Sequence, residues 1–173
     1  LQYGILLKRQ NDSNTTQLTI SNGTPPGTYT INITSSWVNL DNTTGSNATL
    51  ISFTVASNPV IDILDNVINT TVSAGSSASQ NMTIQAIGND NVTNLTFSCI
   101  SGVACTNFTI NFTPSNLSSL QFPTRTNISI TVTVPSGFVA GVYEGTVRAT
   151  GNGTEDTTNI SVLIPVNISW TQT

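Results

Sequence analysis

Residues 127–134 read Asn-Ile-Ser-Ile-Thr-Val-Thr-Val, a strict alternation of polar and branched apolar side chains. Successive side chains of an extended strand point to opposite faces, so the Asn and hydroxyl residues share one face and Ile and Val share the other. A strand of this kind buries its apolar face and leaves the polar face in water. Because similar alternation recurs along most of the chain, the sequence predicts an all-β protein.

The composition limits the partners that the chain can have. Only 7% of its 173 residues are charged, against about a quarter in ordinary soluble proteins. The net charge is −4 and the isoelectric point is near 4.2, so no basic patch can neutralise nucleic-acid phosphates. No apolar run approaches the roughly 18 residues that a membrane-spanning helix needs. We expect neither nucleic acid nor a membrane span, and the start at Leu1 indicates a processed product.

Acceptor sites for N-linked glycans are far more frequent than composition requires. Ser and Thr supply 50 of 173 residues, so chance would give about six matches to Asn-x-Ser/Thr. The chain has 17 such sequons among 21 asparagines: Asn11, Asn14, Asn22, Asn32, Asn42, Asn47, Asn69, Asn81, Asn91, Asn94, Asn107, Asn111, Asn116, Asn127, Asn152, Asn159 and Asn167. The spacing of Asn and hydroxyl equals the period of a strand. We therefore predict covalent N-glycans on the solvent faces of strands as well as on loops.

The two cysteines, Cys99 and Cys105, are separated by a short Ile-Ser-Gly-Val-Ala segment. The chain has no His and no further Cys, which excludes a zinc set and a thiol–imidazole pair. A disulfide across this loop would stabilise the fold by about 2 kcal/mol and would imply an oxidising compartment. We predict the disulfide; the alternative is two free thiols in a cytosolic protein.

Turn signals divide the chain into a tail at 1–12, a unit at 13–57 and a domain at 58–173, with Asn58-Pro59 at the second boundary. Short strands with turns every 8–12 residues are typical of an immunoglobulin-like sandwich, which we predict for 58–173. The predicted strands of this domain are 60–64, 81–87, 92–100, 107–112, 126–134, 143–150 and 159–170. The unit at 13–57 contains strand-like segments at 17–20, 28–33 and 48–56.

A short repeat connects the two units. The segment 26–33, Pro-Gly-Thr-Tyr-Thr-Ile-Asn-Ile, aligns with 140–147, Ala-Gly-Val-Tyr-Glu-Gly-Thr-Val. In the second unit the Gly-x-Tyr segment closes a full sandwich, whereas in the first unit the strands that should precede it are mostly absent. A remnant of two or three strands is marginal alone. It has to borrow strands from the second unit or from another chain.

The first residues form a further candidate strand, in which Leu1, Tyr3, Ile5 and Leu7 alternate on one face. One interpretation is a strand of its own sheet, and the other is donation to a neighbouring subunit as a form of β-augmentation. Burying four such side chains gains about 6–12 kcal/mol. Ordering nine residues costs about 9–18 kcal/mol, so the hydrophobic gain alone only approaches this cost. Donation therefore also requires the backbone hydrogen bonds of the added strand and the covering of an acceptor groove that would otherwise expose its core. The residues leave both interpretations open.

The residues give little support to catalysis or cofactor binding. There is no His, the only Lys is Lys8, and the eight carboxylates are scattered along the chain. Neither Asp41–Gly45 nor Gly88–Asn91 fits a calcium loop, and no phosphate-binding Gly-rich loop is present. We expect no catalytic residues, no metal and no cofactor, and hence a protein that is not an enzyme.

Taken together, the sequon-rich, Lys- and His-poor β chain with an N-terminal Leu-Gln-Tyr-Gly-Ile-Leu-Leu segment resembles the subunit of archaeal threads, the thin surface filaments of Sulfolobales. The resemblance implies an extracellular, heavily N-glycosylated pilin that joins copies of itself head to tail by donor-strand complementation and serves adhesion and biofilm formation. Leu1, Tyr3, Ile5 and Leu7 would then be the donated side chains. The alternatives are a monomeric cell-surface or S-layer-associated adhesin module and, more distantly, an enzyme.

Overall fold

The computed structural model describes residues 15–166, which form eleven strands and one short helix. The strands are β1 Gly27–Val38, β2 Thr44–Val55, β3 Ile61–Ile63, β4 Val67–Thr71, β5 Ser77–Ala86, β6 Val92–Ser101, β7 Thr109–Thr113, β8 Asn116–Leu120, β9 Arg125–Thr133, β10 Gly141–Gly151 and β11 Thr154–Ile164. The helix α1 spans Val103–Asn107. The prediction of an all-β fold is confirmed.

Strands β1 and β2 form a two-stranded antiparallel sheet, in which Gly27 lies opposite Val55 and Val38 lies opposite Thr44. The connecting loop is closed by a hydrogen bond from the backbone N–H of Asn39 to the carbonyl of Thr43, 2.7 Å long. Asn42 takes a positive φ of 64° in this loop, which Asn tolerates better than most residues. We call this element the hairpin.

The other nine strands form two sheets that pack face to face. One sheet has five strands in the order β4-β11-β10-β6-β8, and the other has four in the order β3-β5-β9-β7. All neighbours are antiparallel except β4 and β11, which run parallel. The chain changes sheet at every connection from β3 to β10, and of these nine strands only β10 and β11 are consecutive in one sheet. We call this body the sandwich.

Alternation places the core between the two sheets. In β9 the side chains of Ile128, Ile130 and Val132 are buried, whereas the polar residues between them face outward. Every one of the 21 buried hydrophobic residues of the described chain lies between Ile61 and Ile164. The sandwich therefore has a complete core of its own.

The first strand of the sandwich is split between the two sheets. Strand β3 pairs with β5, and β4 then pairs with β11 on the opposite sheet. Asp65 lies at the crossing, where its carboxylate accepts a 2.6 Å hydrogen bond from the N–H of Thr83 and its carbonyl accepts one from the Thr158 hydroxyl. Asp156 of β11 accepts a 2.6 Å hydrogen bond from the N–H of Ile63. The two carboxylates thus tie together the sheets where the strand changes sides.

The structure differs from the sequence prediction in several places, and β2, β5 and β11 begin at Thr44, Ser77 and Thr154 rather than at 48, 81 and 159. Residues 17–20 are not a strand, and β4, β8 and α1 were not predicted. Strand β8 falls in a segment that we expected to be a connection, and α1 lies inside the cysteine loop. The division at residues 57 and 58 stays a prediction about folding units, and the hairpin and the sandwich lie on its two sides.

Candidate functional site

The hairpin carries an apolar face, and none of the other strands between residues 15 and 166 pairs with it. Its register places Tyr29, Ile31, Ile33 and Trp37 of β1 on the same side as Ile51, Phe53 and Val55 of β2. We call these seven residues the hairpin face. Ile33, Trp37 and Ile51 are 40%, 46% and 43% exposed. On the same side, Ser35 and its partner Asn47 separate Trp37 from the other apolar residues. Exposed large apolar side chains grouped on one side are typical of an interaction surface.

The opposite side of the hairpin is mostly polar, with Val38 and Leu50 as its large apolar exceptions. Thr28 lies opposite Thr54 and Thr30 opposite Ser52, and the hydroxyl oxygens of each pair are 3.4 Å apart. The sequon residue Asn32 is exposed on this same side. The hairpin is therefore amphipathic, like a strand pair taken from a sandwich.

The start of the hairpin repeats a local structure from the sandwich. Gly27 begins β1 and Gly141 begins β10, and in each strand a Tyr follows two residues later. The Tyr29 hydroxyl donates to the carbonyl of Pro25 at 2.8 Å, and the Tyr143 hydroxyl donates to the carbonyl of Val139 at 3.0 Å. Both bonds reach back four residues, so the aligned segments share a structure as well as a sequence pattern.

The hairpin and the β10–β11 strand pair differ in what covers their apolar faces. In the sandwich, Val147 of β10 and Ile160 and Val162 of β11 are fully buried beneath the four-stranded sheet. Phe53 lies opposite Tyr29 in the hairpin, as Val162 lies opposite Tyr143 in the sandwich. Phe53 is therefore the equivalent of Val162. Two residues earlier, Ile51 is the equivalent of Ile160. The rings of Tyr29 and Phe53 stack at 5.6 Å between centroids. Within residues 15–166, no third strand pairs with β1 or β2.

A short linker holds the end of the hairpin to one turn of the sandwich. The Ser57 hydroxyl donates to the carboxylate of Asp90 at 2.7 Å, and the N–H of Asn58 donates to the side-chain carbonyl of Asn89 at 2.7 Å. A Cβ on Gly88 would lie 1.9 Å from the carbonyl oxygen of Asn58. This approach requires glycine at position 88, because any side chain would push the linker away.

The described sequons all present their asparagine to solvent. The 14 sequon asparagines between residues 15 and 166 are each exposed. Nine lie within strands: Asn32, Asn47, Asn69, Asn81, Asn94, Asn111, Asn116, Asn127 and Asn159. The other five lie in turns, at a strand edge or at the end of α1: Asn22, Asn42, Asn91, Asn107 and Asn152. Asn11, Asn14 and Asn167 are outside the described residues.

Sequon and non-sequon asparagines differ in the hydrogen bonds that their side-chain amide nitrogen, Nδ2, donates. Asn39 and Asn89 are not in sequons, and their Nδ2 atoms donate to the Thr43 hydroxyl at 2.8 Å and to the Ala56 carbonyl at 2.9 Å. Among the 14 described sequon asparagines, only Asn116 donates its Nδ2 to another residue between 15 and 166, in a long 3.5 Å contact with Ser115. The other 13 side-chain amide nitrogens make no hydrogen bond within this part of the chain.

The predicted disulfide is present. It joins Cys99 at the end of β6 to Cys105 in α1, with a Cα–Cα distance of 5.3 Å. Below this loop, Phe108, Phe138 and Tyr143 form an aromatic cluster of edge-to-face contacts, with centroids 4.9–5.4 Å apart. The cross-linked loop therefore closes one end of the core and has a structural role.

The charged groups of residues 15–166 make local structural contacts. Residues 15–166 contain no group of three His, Cys, Asp or Glu side chains that could hold a metal. Arg148 and Glu155 form an exposed ion pair at 3.4 Å. The Thr43 hydroxyl lowers the pKa of Asp41 below its ordinary value, and the Ser57 hydroxyl does the same for Asp90. These bonds hold a loop and the linker in place.

The predicted donor strand cannot be located in the structure, and the hairpin face was predicted only in part. Leu1, Tyr3, Ile5 and Leu7 lie outside the described residues. The hairpin face was predicted as part of an incomplete unit, although the strand bounds given for it, 28–33 and 48–56, are shorter than β1 and β2. The ring of Trp37 lies over Gly45, at which a Cβ would stand 2.4 Å from the ring. In addition, no described helix is long and apolar enough to cross a bilayer.

Comparison with known proteins identifies no family. No protein-family model matches the chain, and no curated protein matches it. Among solved structures, the surface layer protein SbsC (domains 1–6) aligns with 83% of this chain and 17% of its own, at 18% identity and a TM-score of 0.42. A family 123 glycoside hydrolase from Clostridium perfringens aligns with 60% of this chain and 23% of its own, at 18% identity and a TM-score of 0.45.

A third similar structure is the E. coli chaperone DraB, at 11% identity and a TM-score of 0.40, covering 61% of this chain and 55% of that chain. The chain spans only 23%, 20% and 17% of the first three matched chains. At such low identities and TM-scores, these similarities carry no argument about function.

Proposed function

We propose that the protein is the structural subunit of an extracellular, N-glycosylated filament, in which residues 1–7 of one copy complete the hairpin of the next. The observation that carries the proposal is the contrast between the covered sandwich core and the open hairpin face. All 21 buried hydrophobic residues between 15 and 166 belong to the sandwich, whose two sheets cover each other's inner faces. The hairpin has an apolar face that is half-buried to exposed, and no third strand pairs with it among the described residues.

The sandwich also indicates where the incoming strand would pair. Strand β4 lies parallel to β11 on the outer edge of the β10–β11 pair. The equivalent edge of the hairpin belongs to β2. A strand added there would carry its alternating side chains onto the hairpin face, next to Ile51 and Phe53. Leu1, Tyr3, Ile5 and Leu7 have the alternation that this position requires.

The energetics favour a partner. A two-stranded sheet is marginal in water, and three or more strands or a packing partner are needed for stability. The donated side chains would gain about 6–12 kcal/mol on burial. The side chains of the hairpin face would be covered at the same time, which adds to the gain. Head-to-tail donation gives an open filament when the rotation between copies does not close a ring, and this open arrangement is the one that we propose.

The proposed glycans agree with this arrangement. The edge strands β4, β7 and β8 of the sandwich each carry an exposed sequon asparagine, at Asn69, Asn111 and Asn116. Unpaired edges invite association, and many proteins block them with charge. This chain has four basic residues in total. Glycans at these positions would block three edges of the sandwich, and adhesion and biofilm formation are the roles that we propose for the filament.

Two complementary variants test the proposal. Ile5→Asp disables the donor and Ile51→Asp disables the acceptor, so each variant alone should remain monomeric in size-exclusion chromatography. Their mixture should give a dimer and nothing longer, because one intact donor meets one intact acceptor. Electron microscopy of the parent protein should show filaments under the same conditions.

Leu163→Asp is the matched control. Leu163 of β11 is 43% exposed, as is Ile51, and this variant should polymerise like the parent. Polymers formed by Ile5→Asp or Ile51→Asp would contradict the proposal. A parent protein that stays monomeric at all concentrations would favour a monomeric adhesin module instead.

A further inference from the structure

The sequons within strands place the asparagine where a folded sheet restricts access. Asn159 is the clearest case, because it lies in β11 between two neighbouring strands. It pairs with Thr146 of β10 on one side and with Val67 of β4 on the other. The residue that follows it, Ile160, is fully buried. The sequon backbone is therefore enclosed by ladders at both edges and by the core below.

Sugar transfer to asparagine requires more than an exposed amide. The Nδ2 lone pair is delocalised into the side-chain carbonyl, as in a peptide bond. A transferase must therefore enclose the carboxamide to make it nucleophilic. The bond that forms joins Nδ2 to the anomeric carbon of a sugar, and the bond that breaks joins that carbon to a lipid-phosphate carrier. The phosphate oxygen keeps the electron pair, and an Nδ2 proton passes to a base of the transferase.

We infer that Asn159 receives its glycan before the sandwich folds, whereas Asn152 can receive one afterwards. The inference rests on the N-glycan part of the proposed function and does not depend on polymerisation. Asn152 lies at the tip of the β10–β11 turn, with a φ of 43° and Gly153 after it at 78°. Both asparagines are exposed. They differ in whether the backbone of the sequon can be reached from its edges.

A second pair of sequons supports the same order of events. In β5 and β9, Asn81 lies opposite Ser129, and Thr83 lies opposite Asn127. Each asparagine in the folded sheet therefore has the hydroxyl of the other sequon as its cross-strand neighbour. Two glycans would leave adjacent strands on one face, and a transferase reading either tripeptide would collide with the neighbouring strand. Only the unpaired segments present each sequon separately.

The test uses the full chain in a host whose oligosaccharyltransferase can be switched on. The chain is made first without the transferase, and the protease-resistant fraction defines the folded protein. The transferase is then induced, and glycopeptides containing Asn152 and Asn159 are quantified in that fraction. A core strand opens with an unfolded population of about 10⁻³ or less. Modification of Asn159 should therefore be slower than in chains made with the transferase present by at least about 10³-fold.

The rate of modification at Asn152 should fall by less than about tenfold in the folded protein, because turns open freely. The variant Ser161→Thr gives both sequons a threonine and should leave the difference unchanged. Comparable rates at the two sites in folded protein would overturn the inference. If neither site is modified even in unfolded chains, the N-glycan part of the proposed function fails, and the inference fails with it.

A second measurement applies if the bare chain does not fold. In cells with limiting transferase, a reductant that opens the Cys99–Cys105 bond prolongs the unfolded state. Occupancy at Asn159 should then rise by at least about twofold, while occupancy at Asn152 stays constant. Equal responses at the two sites, or no response at Asn159, would overturn the inference.

Discussion

The β1–β2 and β10–β11 hairpins are built alike and differ in their surroundings. Both begin with a glycine and continue to a tyrosine whose hydroxyl bonds four residues back. The second lies in the middle of a five-stranded sheet under a second sheet, and its inner face is buried. The first has an apolar face of the same kind in the open. Alternation thus specifies a strand and its two faces, but it does not specify which chain supplies the cover.

The largest expected difference concerns equivalent isoleucines. Ile160→Ala removes a fully buried side chain and should lower the free energy of unfolding by about 2–5 kcal/mol. Ile51→Ala, at the matching position of the hairpin, should cost less than about 1 kcal/mol in the monomer, because Ile51 already meets solvent. Urea unfolding of the monomeric Ile5→Asp background measures both.

The same pair also tests the filament. In polymerised protein the cost of Ile51→Ala should rise toward that of a buried position, whereas the cost of Ile160→Ala should stay the same. Equal costs in monomer and polymer would mean that the hairpin face remains open in the filament.

A smaller effect is expected where carboxylates hold the two sheets of the sandwich together. Asp156→Ala leaves the N–H of Ile63 without its 2.6 Å partner. An unsatisfied part-buried donor costs about 1–3 kcal/mol, which thermal unfolding should detect. The neighbouring Glu155→Ala removes only an exposed ion pair with Arg148 and should change stability by less than about 1 kcal/mol. A similar loss in both variants would contradict the role assigned to Asp156.

Several strands could be predicted because their inward residues are apolar without exception, as in 127–134. Strand β4 was missed because its inward residues are Ile68 and Thr70, and the buried threonine hides the alternation. Strand β8 was missed because its serines give no regular pattern and it lies at a sheet edge. The helix α1 has five residues, too few to show a helical period.

The candidate site could be predicted only in part. The repeat around Tyr29 and Tyr143 indicated that 13–57 is the end of a sandwich without its beginning. The continuation of β1 to Trp37 could not be read from Ser35 and Ser36, because the pairing with β2 decides it. Which segment covers the hairpin face depends on contacts between elements or between copies. A single sequence does not encode these as a local pattern.

Trp37 and Gly45 form a cross-strand contact near the turn of the hairpin. The Trp ring covers a glycine on the opposite strand, where otherwise no side chain would protect the backbone. Trp37→Ala should weaken the hairpin by about 0.2–1 kcal/mol, the range of a cross-strand pair. Amide hydrogen exchange should accelerate in β1 and β2 and remain unchanged in β10 and β11. The control Val38→Ala alters an exposed residue on the other face; an equal acceleration there would contradict a specific role for Trp37.

The smallest effect concerns the linker between the hairpin and the sandwich, and it depends on pH. The hydrogen bond from the Ser57 hydroxyl, together with that from the N–H of Asn91, holds the pKa of Asp90 below its ordinary value of 3.8. A carboxyl whose pKa is lower in the folded state stabilises that state above the unfolded pKa, and this contribution is lost as the pH falls through the folded pKa. Asp90→Asn should therefore melt slightly below the parent at pH 7, and the difference should disappear only at pH values under 3.8. Thermal unfolding between pH 7 and pH 2 measures this, with Ser57→Ala as a second route to the same loss. A difference that is constant across the whole range would show that the Asp90 carboxylate does not hold the linker by its charge, and the attachment would then rest on the hydrogen bonds of Asn58 and Asn89.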